Sequence, residues 1–526
     1  MADYIPLDMD GKETEVKDYA AETTDLARPN VLLIMTDQQR ADSLGCSGHP
    51  AECTPHIDEL AASGVRFDCA YTTHPTCTPS RGAIFTGRYP SSHGARMTGM
   101  ILPETERMLP AILREHGYET ALFGKPHFAP MGDYPDCPSR EMRRLWNHGA
   151  HPIESDYYGF ESVVFFGGHG PGIWGHYRDW LRERDPAAAR AIENASGENG
   201  YIRAGAYEDG LTDMFRSPLS AELHPTSALG EMVSDYLRRR HERPFFLVAS
   251  FSDPHHPFAP PAEYADRYDP GDMPIPVPPD SDGFRAFPPH FGRAFRGKSG
   301  RFSGGGHVDY SAIPPAAMLR ARALTCGMVE LIDAAVGNIL RTLDERGLRE
   351  NTAIVFCSDH GDFLGDHGFL YKGPMHWDGL TRVPFIWNLP GAARAGAIES
   401  GIASTLDVTP TILELCGIPP EPGIEGVSLA RYLRGKEAYE RDEALTENDD
   451  DYLGERLRTL VTAKWKITAY AGRPWGELYD RVNDPHETRN LWDDPAFRAP
   501  REEMRVRLLD HLMRREDRLP VQRWYA

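Results

Sequence analysis

Short apolar runs, each separated from the next by a helical pattern, recur along most of this chain and restrict its fold more than any other feature. The runs VLLIM, ETALF, FFLVASF and AIVFC predict buried strands at residues 31–35, 119–123, 245–251 and 353–357. Helical patterns lie between them, at residues 55–63, 109–116 and about 318–346, and a glycine closes each one. Apolar strands that alternate with helices are typical of a mostly parallel sheet with helices on both faces. The chain is therefore predicted to have an α/β fold.

The limits of this alternation divide the 526 residues into three parts. Residues 1–29 are polar and are predicted to be an N-terminal extension. Residues 30–430 are predicted to form the α/β domain, where a catalytic site would lie. Beyond them the β-type runs TLVTAKWKITAYA and GELYD precede a charged helix at about 499–516. They predict a small C-terminal α+β domain with an antiparallel sheet, over residues 431–526.

Two stretches inside the larger domain break the alternation. Residues 130–220 are rich in glycine, proline and aromatic residues and are predicted to be insertions above the sheet. Residues 259–316 contain PPAEY, PIPVPP and FPPHF before a glycine-rich segment. A loop of this length inside a compact domain is usually functional or disordered. The sequence alone does not decide its role.

The charge of the chain excludes some classes of partner. It has 57 Lys and Arg against 78 Asp and Glu, a formal net charge of −21. Nucleic-acid binders and membrane-surface proteins usually carry a basic face, so neither partner is expected. No signal peptide or membrane span is evident, and the eight cysteines lack metal-type CxxC pairs, which favours a cytoplasmic protein with reduced thiols. A homo-oligomer stays open.

Polar side chains follow each of the four predicted strands, where parallel α/β sheets bind their ligands. Asp37 and Gln38 follow the first strand, and Asp359 and His360 follow AIVFC. Lys125 and His127 follow ETALF, and Asp253-Pro254-His255-His256 follows FLVASF. Any one of these aspartates has a simpler explanation as a helix N-cap. Four such groups at one sheet edge favour a functional site.

Asp37, Gln38, Asp359 and His360 together offer two carboxylates, an amide oxygen and an imidazole. This set predicts a site for one divalent cation. Because oxygen ligands form the majority, a hard ion is favoured, Ca²⁺ first and Mg²⁺ as an alternative. The imidazole leaves Mn²⁺ or Zn²⁺ open.

The segment Cys77-Thr78-Pro79-Ser80-Arg81 gives the sharpest local signal. At ~5% usage of each residue type, Cys-x-Pro-x-Arg arises by chance in roughly 6% of chains this long, so the pattern alone is only moderately specific. Pro79 suits the first turn of a helix that runs to about Thr86 and stops at Gly87. Cys77 would then lie at a helix N-terminus, which favours an anion. The simpler alternative is a capped helix with an ordinary thiol.

The stretch CTPSRGAIFTGRYP resembles the signature of formylglycine-dependent sulfatases of the alkaline-phosphatase-like superfamily. Further blocks resemble this family in the same order, over residues 30 to about 495: NVLLIMTDQQRADSLG, GYETALFGKPHF, DPHHPF, SDHGDFLGDHGFLYKG and GELYDRVNDPHETRNLWDD. The resemblance implies an alkaline-phosphatase-like α/β fold. It also implies hydrolysis of sulfate monoesters, with small alkyl, aryl or sugar sulfates as substrates.

The resemblance further implies a role for each matching residue. A maturation enzyme would convert Cys77 to formylglycine, whose hydrated form offers a hydroxyl nucleophile. Asp37, Gln38, Asp359 and His360 would bind the metal, which would also contact residue 77. Arg81 would orient the formylglycine, and Lys125 and Lys372 would hold the sulfate. His255 would protonate the leaving alcohol with help from Lys372, and His127 would take the proton that expels sulfate.

One departure from the family pattern leaves a second function open. Many arylsulfatases have Asp-Asp and Asp-Asn where this chain has Asp37-Gln38 and Asp359-His360. The latter pairs resemble choline sulfatases and phosphonate monoester hydrolases, so hydrolysis of phosphonate monoesters or phosphodiesters is the alternative. Lys125 and His127, however, follow the sulfatase pattern. A binding protein without activity is disfavoured, because no expected catalytic residue is missing.

Overall fold

The computed structural model describes eight segments of the chain: residues 28–132, 139–149, 151–153, 155–196, 213–297, 308–391, 393–449 and 453–515. Most of the predicted N-terminal extension, Cys137 and parts of the stretches 130–220 and 259–316 therefore lie outside the described residues. Residues 516–526, the last part of the predicted C-terminal domain, also lie outside the described residues.

A nine-stranded sheet forms the centre of the larger part of the molecule. In chain order its strands are β1 (Asn30–Thr36), β2 (Val65–Tyr71), β3 (Glu119–Gly124), β4 (Ser162–Gly167), β5 (Trp174–Gly175), β6 (Phe245–Ser250), β7 (Thr352–Ser358), β8 (Phe385–Asn388) and β9 (Ala397–Ser404). Their order across the sheet is β5-β4-β3-β6-β1-β7-β8-β2-β9. The five central strands from β4 to β7 are all parallel, whereas β5 and β8 run antiparallel to their neighbours. The predicted mostly parallel sheet is confirmed.

Fourteen α-helices lie among the described residues. They are α1 (Pro55–Ala62), α2 (Cys77–Thr86), α3 (Pro90–His93), α4 (Leu109–Glu115), α5 (His176–Arg184), α6 (Pro186–Ala195), α7 (Pro225–Arg238), α8 (Ala262–Ala265), α9 (Pro289–Phe295), α10 (Pro315–Glu345), α11 (Asp378–Thr381), α12 (Val408–Leu415), α13 (Ala430–Leu433) and α14 (Arg498–Arg514).

Helices cover both faces of the large sheet, and β1 shows why. Side chains alternate across a strand, and every residue of β1 is buried. Val31, Leu33 and Met35 belong to a core with α2, α4 and α12. Leu32 and Ile34 belong to a second core with α1, α7 and α10. A strand with apolar residues on both faces can be stable only between two helical layers.

The helix α10 is long and apolar enough to cross a membrane by length and composition, but 83% of its most apolar window is buried inside the protein. It packs along α7 and also contacts α1 and α8. It is therefore the central helix of one layer. Its span agrees with the helix predicted at about 318–346.

A separate four-stranded antiparallel sheet follows, in the order β10-β11-β12-β13. Its strands are β10 (Glu443–Asp449), β11 (Arg456–Thr462), β12 (Trp465–Tyr470) and β13 (Gly476–Asp480). Leu460 and Ile467 of this sheet pack with Met504 and Leu508 of α14. The small antiparallel C-terminal sheet is confirmed.

The prediction of insertions above the sheet over residues 130–220 is wrong for its central part. The run SVVFFG forms β4, which pairs in parallel with β3, and β5 continues the sheet beyond it. This segment therefore extends one edge of the sheet. In the stretch 259–316, the described residues Phe284, Phe287 and Phe291 pack against Trp377, so that this part belongs to an aromatic core.

The predicted helix at residues 55–63 is confirmed as α1, and Thr54 directly precedes its first residue. The Thr54 hydroxyl donates to Asp58 Oδ1 at 2.9 Å and accepts from the Gly45 N–H at 2.8 Å. Its side chain makes no capping hydrogen bond. The Thr54 hydroxyl therefore bonds Gly45 and Asp58 instead of the free N–H groups at the start of α1.

Candidate active site

The four polar strand ends that the sequence singled out meet at one edge of the large sheet. The strands β3, β6, β1 and β7 are neighbours in that order. Thr36 of β1 is in register with Ser358 of β7, so Asp37 and Asp359 follow side by side. The Asp37 N–H donates to the carbonyl of Asp253, and the Asp359 N–H donates to the carbonyl of Thr36, each at 3.2 Å. The ends of three strands are thus held together by main-chain hydrogen bonds.

Cys77 is the first residue of α2 and is 2% exposed. Its Sγ lies 3.2 Å from Lys372 Nζ and 3.3 Å from His360 Nε2. Lys125 Nζ and Asp37 Oδ1 are each 3.7 Å away. Burial and Asp37 would raise the pKa of the Cys77 thiol, but Lys125, Lys372 and His360 outweigh them and hold that pKa well below its usual value. Residue 77 therefore occupies a buried place where negative charge is stabilised.

Arg81 lies one turn further along α2 and is fully buried. Its Nε donates to Asp359 Oδ2 at 2.7 Å, and one Nη donates to Asp37 Oδ2 at 3.2 Å. The other Nη donates to the Lys125 carbonyl at 2.6 Å and to Ser250 Oγ at 2.9 Å. The planar guanidinium therefore fixes α2 against the ends of four strands.

Asp37 is surrounded by cations. Lys125 Nζ forms an ion pair with its Oδ2, and Arg81 approaches the same oxygen. Burial would raise the pKa of Asp37, but Lys125 and Arg81 outweigh burial and hold that pKa well below its usual value. The carboxylate is thus charged inside the protein and available to bind a cation.

Asp37, Cys77, Asp359 and His360 could hold a metal ion, since one ligand atom from each lies within 4.8 Å of the others. All four are buried. The His360 Nδ1 donates to the Gly361 carbonyl at 2.9 Å, which directs Nε2 toward the cluster. A ring whose second nitrogen donates to a carbonyl is the usual arrangement of a metal-binding histidine. Although burial lowers the pKa of His360, Asp359 and Cys77 raise it above its usual value, so the cluster favours positive charge at Nε2.

Gln38 stands beside this cluster, with a left-handed backbone at φ 65°. Its N–H donates to Asp359 Oδ1 at 3.1 Å, and its side-chain Nε2 lies 2.5 Å from Asp362 Oδ2 and 3.1 Å from His256 Nδ1. Its Oε1 is buried and has no hydrogen-bond partner among the described residues. Burying an amide oxygen without a hydrogen-bond donor costs free energy and is unusual, and a bound cation would satisfy that oxygen.

The predicted proton-transfer residues also lie next to residue 77. Lys372 Nζ is 3.2 Å from His255 Nε2, and the His255 Nδ1 donates to the His256 carbonyl. Burial would lower the pKa of Lys372, but Cys77 and Asp37 outweigh it and raise that pKa, so a charged Lys372 donates to a neutral His255. Burial and Lys125 lower the pKa of His127, which keeps this ring neutral and able to accept a proton.

The chain matches a known family over most of its length. The sequence model described as Sulfatase matches residues 29–418. The chain belongs to the sulfatase family. A second model, described as N-sulphoglucosamine sulphohydrolase, C-terminal, matches residues 365–514 of this sulfatase.

Three relatives show how far the similarity extends. An arylsulfatase of Clostridium perfringens is 29% identical, over 93% of this chain and 95% of its own. A choline-sulfatase of Rhizobium meliloti is 28% identical, over 89% of this chain and 83% of its own. The crystal structure of a phosphonate monoester hydrolase of Agrobacterium radiobacter has a TM-score of 0.79 and 28% identity, over 94% of this chain and 97% of its own. The sulfatase is thus a sulfuric ester hydrolase with an alkaline-phosphatase-like fold, as the resemblance implied.

Sequence reasoning missed His169, which lies close to the reacting groups of this sulfatase. Its Nε2 is 2.6 Å from Lys125 Nζ, and its ring stacks on His255 with centroids 3.6 Å apart. It follows β4 in the run SVVFFGGHG. The rule that found the other strand-end residues would have found it too if β4 had been recognised as a strand.

Proposed function

We propose that this sulfatase hydrolyses sulfate monoesters of small alkyl or aryl alcohols or of sugars, and that its nucleophile derives from Cys77. The observation that carries the proposal is the position of Cys77 Sγ, buried at the start of α2 within 3.7 Å of both Lys125 Nζ and Lys372 Nζ. A sulfate group bound there would bring one negative charge to two lysines and a helix N-terminus.

The proposed maturation converts Cys77 to formylglycine by means of a separate maturation enzyme. The hydrated aldehyde would carry two hydroxyl groups in place of the thiol. One hydroxyl can attack sulfur, and the other can later release the sulfate by elimination, a route that is closed to a serine. Arg81 supports this role, because its four hydrogen bonds hold the first turn of α2 against the strand ends.

The family implies one divalent cation, and the donor set of this chain fits it. Asp37, Asp359, His360 and the free Oε1 of Gln38 would hold the ion next to residue 77. The preponderance of oxygen donors supports Ca²⁺, with Mn²⁺, Mg²⁺ and Zn²⁺ as alternatives. When bound, such an ion withdraws electron density from the sulfate and lowers the pKa of a neighbouring hydroxyl.

The remaining steps use side chains of this chain. Lys125 and Lys372 would bind sulfate oxygens and offset the charge that develops in the transition state. Lys372 would pass a proton to His255 Nε2 through their 3.2 Å contact, and His255 would deliver that proton to the leaving alcohol. His127 would remove the proton of the second hydroxyl, since its low pKa leaves it unprotonated near neutral pH.

Hydrolysis of phosphonate monoesters is the second candidate. Two observations favour it: the Asp37-Gln38 and Asp359-His360 pairs, and the likeness to the Agrobacterium radiobacter phosphonate monoester hydrolase. Lys125 and His127 favour sulfate, because the resemblance places these residue types in the sulfatase pattern.

A hydrolysis panel with one matured preparation separates the two candidates. The panel contains an aryl sulfate, choline sulfate, sugar sulfates and a phosphonate monoester. We expect the highest kcat/KM for one of the sulfates. A preference for the phosphonate by orders of magnitude would contradict the proposal and establish its alternative.

A further inference from the structure

A second cluster of reactive side chains lies outside the active site. His49 is in the loop after β1, Cys53 precedes α1, and Cys326 is in the middle of α10. One donor atom from each lies within 4.8 Å of the others, and both cysteines are free thiols. Cys326 Sγ is 3.8 Å from His49 Nε2 and 3.6 Å from the sulfur of Met273. Two thiols and an imidazole at these distances form either a metal site or a reactive dithiol.

The hydrogen bond on the far side of His49 decides between these two possibilities. The Ala51 N–H donates to His49 Nδ1 at 3.2 Å. A backbone N–H can only donate, so Nδ1 is the acceptor and the proton of the neutral ring resides on Nε2. His360 shows the opposite arrangement, in which Nδ1 donates to a carbonyl. His49 is therefore arranged to donate a hydrogen bond to Cys326 Sγ, whereas a metal would need a lone pair at Nε2.

The surroundings of Cys326 stabilise its thiolate. Arg322 lies one turn earlier on α10, and its charge acts in the same direction as His49. Cys53, whose sulfur lies within 4.8 Å of Cys326 Sγ, lowers the pKa of Cys326 most strongly. Because His49 contacts Cys326 Sγ and Arg322 also acts on it, Cys326 is the more acidic of the two thiols.

Small molecules can reach this thiolate. Cys326 lines a cavity of about 230 Å³ together with His49, Arg40 and Arg322. Its wall combines apolar residues with the two guanidinium groups of Arg40 and Arg322, which can receive a small polar oxidant. A thiolate that is accessible and has a second thiol nearby is the usual setting of an oxidisable cysteine pair.

We propose that Cys326 and Cys53 form a peroxide-sensitive dithiol, with Cys326 as the attacking thiolate and Cys53 as the resolving thiol. The Cys326 thiolate attacks one oxygen of hydrogen peroxide and breaks the O–O bond. Sulfur is oxidised to the sulfenic acid, and the departing hydroxide takes a proton to become water. The Cys53 thiol then attacks that sulfur, a disulfide forms, and the sulfenic hydroxyl leaves as a second water with the thiol proton.

The first test measures thiol reactivity in the native protein. Trypsin releases Cys46 and Cys53 in residues 41–66 and Cys326 in residues 323–341, so mass spectrometry follows each peptide. Burial and Asp58 raise the pKa of Cys46 to about 11, which makes it an internal control. We expect iodoacetamide at pH 7 to modify Cys326 at least about tenfold faster than Cys46. His49→Gln should remove most of that advantage while sulfatase activity is unchanged.

The second test uses hydrogen peroxide on the full-length protein. We expect a disulfide-linked pair of the two peptides, retained in Cys46→Ser and absent in Cys53→Ser. In Cys53→Ser, dimedone should trap a sulfenic acid on Cys326. Cys326→Ser should show neither product.

Three outcomes would overturn the proposal. Cys326 could be alkylated no faster than Cys46, or peroxide could link Cys46 instead of Cys53. Alternatively, the protein could bind one equivalent of Co²⁺ with a thiolate charge-transfer band that Cys326→Ser removes, which would assign the cluster to a metal.

Discussion

His127 and His255 lie on the same buried edge but differ in what their ring nitrogens contact. The His255 ring is fixed on both sides, by Lys372 at Nε2 and by a backbone carbonyl at Nδ1. The His127 Nδ1 is buried and has no hydrogen-bond partner among the described residues. A histidine coupled to a charged lysine suits proton donation, and a neutral histidine beside residue 77 suits proton removal.

This difference predicts opposite kinetic effects for two otherwise similar variants. His127→Ala should slow breakdown of the sulfated residue 77 by about 10²–10⁴-fold, the usual contribution of a general base. A burst of alcohol release and a sulfate adduct on the peptide that contains residue 77 are the expected observations.

His255→Ala should instead slow the first step, and most for esters of poorly acidic alcohols, which need protonation as they leave. No adduct should accumulate in this variant. His241→Ala, whose ring contacts Glu119 on the far side of β3, serves as the control. Native rates in both test variants would remove the assigned roles.

At the scale of elements, α14 is held on the small sheet by a carboxylate. Glu443 of β10 accepts from Arg507 Nε at 2.5 Å and from His511 Nδ1 at 2.6 Å, both on α14. Burial would raise the pKa of Glu443, but His511 and Arg507 outweigh it and lower that pKa from 4.5 to about 2. Because the folded-state pKa is the lower one, the carboxylate stabilises the fold above about pH 4.5, and this contribution is lost as pH falls toward 2.

Glu443→Gln should therefore destabilise the docking of α14 at neutral pH by about 1 kcal/mol, a modest value because the group is partly solvated. Hydrogen exchange of α14 at pH 7 and pH 3 measures this directly. We expect the native and variant proteins to differ at pH 7 and to differ by less at pH 3, where the contribution of Glu443 is only partly lost. Glu502→Gln, whose exposed carboxylate contacts Arg501 and Arg505 of α14 itself, is the control. An equal difference at both pH values would contradict the account.

The fully buried central strands were predictable from the sequence, whereas β2 and β10, which carry charged residues, were not. β1, β6 and β7 are fully buried apolar runs. β2 was missed because Arg66 and Asp68 interrupt its apolar pattern. β10 was missed because its sequence EALTEND is polar, although Glu447 inside it is buried against Arg458 and Arg515. A buried charge such as that of Glu447 is stable only when it pairs with residues distant in the sequence, and a local sequence pattern does not reveal such partners.

Local sequence patterns also revealed only some of the active-site residues. Asp37, Lys125 and Asp359 were found because they follow recognisable strands. Lys372 follows no strand and was indicated only by the resemblance to a known block. Its place 3.2 Å from Cys77 depends on the path of the chain after β7.

For the whole molecule, the cation site joins parts of the chain that are far apart in sequence. Asp37 follows β1 and Asp359 follows β7, more than 300 residues later, and their charges are offset by Arg81 and Lys125. A dication that binds this arrangement only in the folded state should stabilise the entire fold.

Ca²⁺ at one hundred times its Kd should therefore raise the free energy of unfolding by about 2.7 kcal/mol, measured as a shift of Tm on titration. Asp359→Asn should lose that shift. Asp42→Asn, which changes a carboxylate paired with Arg40 outside the cluster, should retain it. A Ca²⁺-dependent shift that survives in Asp359→Asn would place the ion elsewhere.

The central claim is that catalysis depends on an aldehyde derived from Cys77, and one measurement tests it most directly. Protein is prepared with and without co-expression of a formylglycine-generating enzyme, and the aldehyde fraction of the peptide that contains residue 77 is determined by mass spectrometry. We expect sulfatase activity per molecule to rise in proportion to that fraction and to extrapolate to zero with it. Full activity in a preparation whose Cys77 is entirely an unmodified thiol would contradict the account.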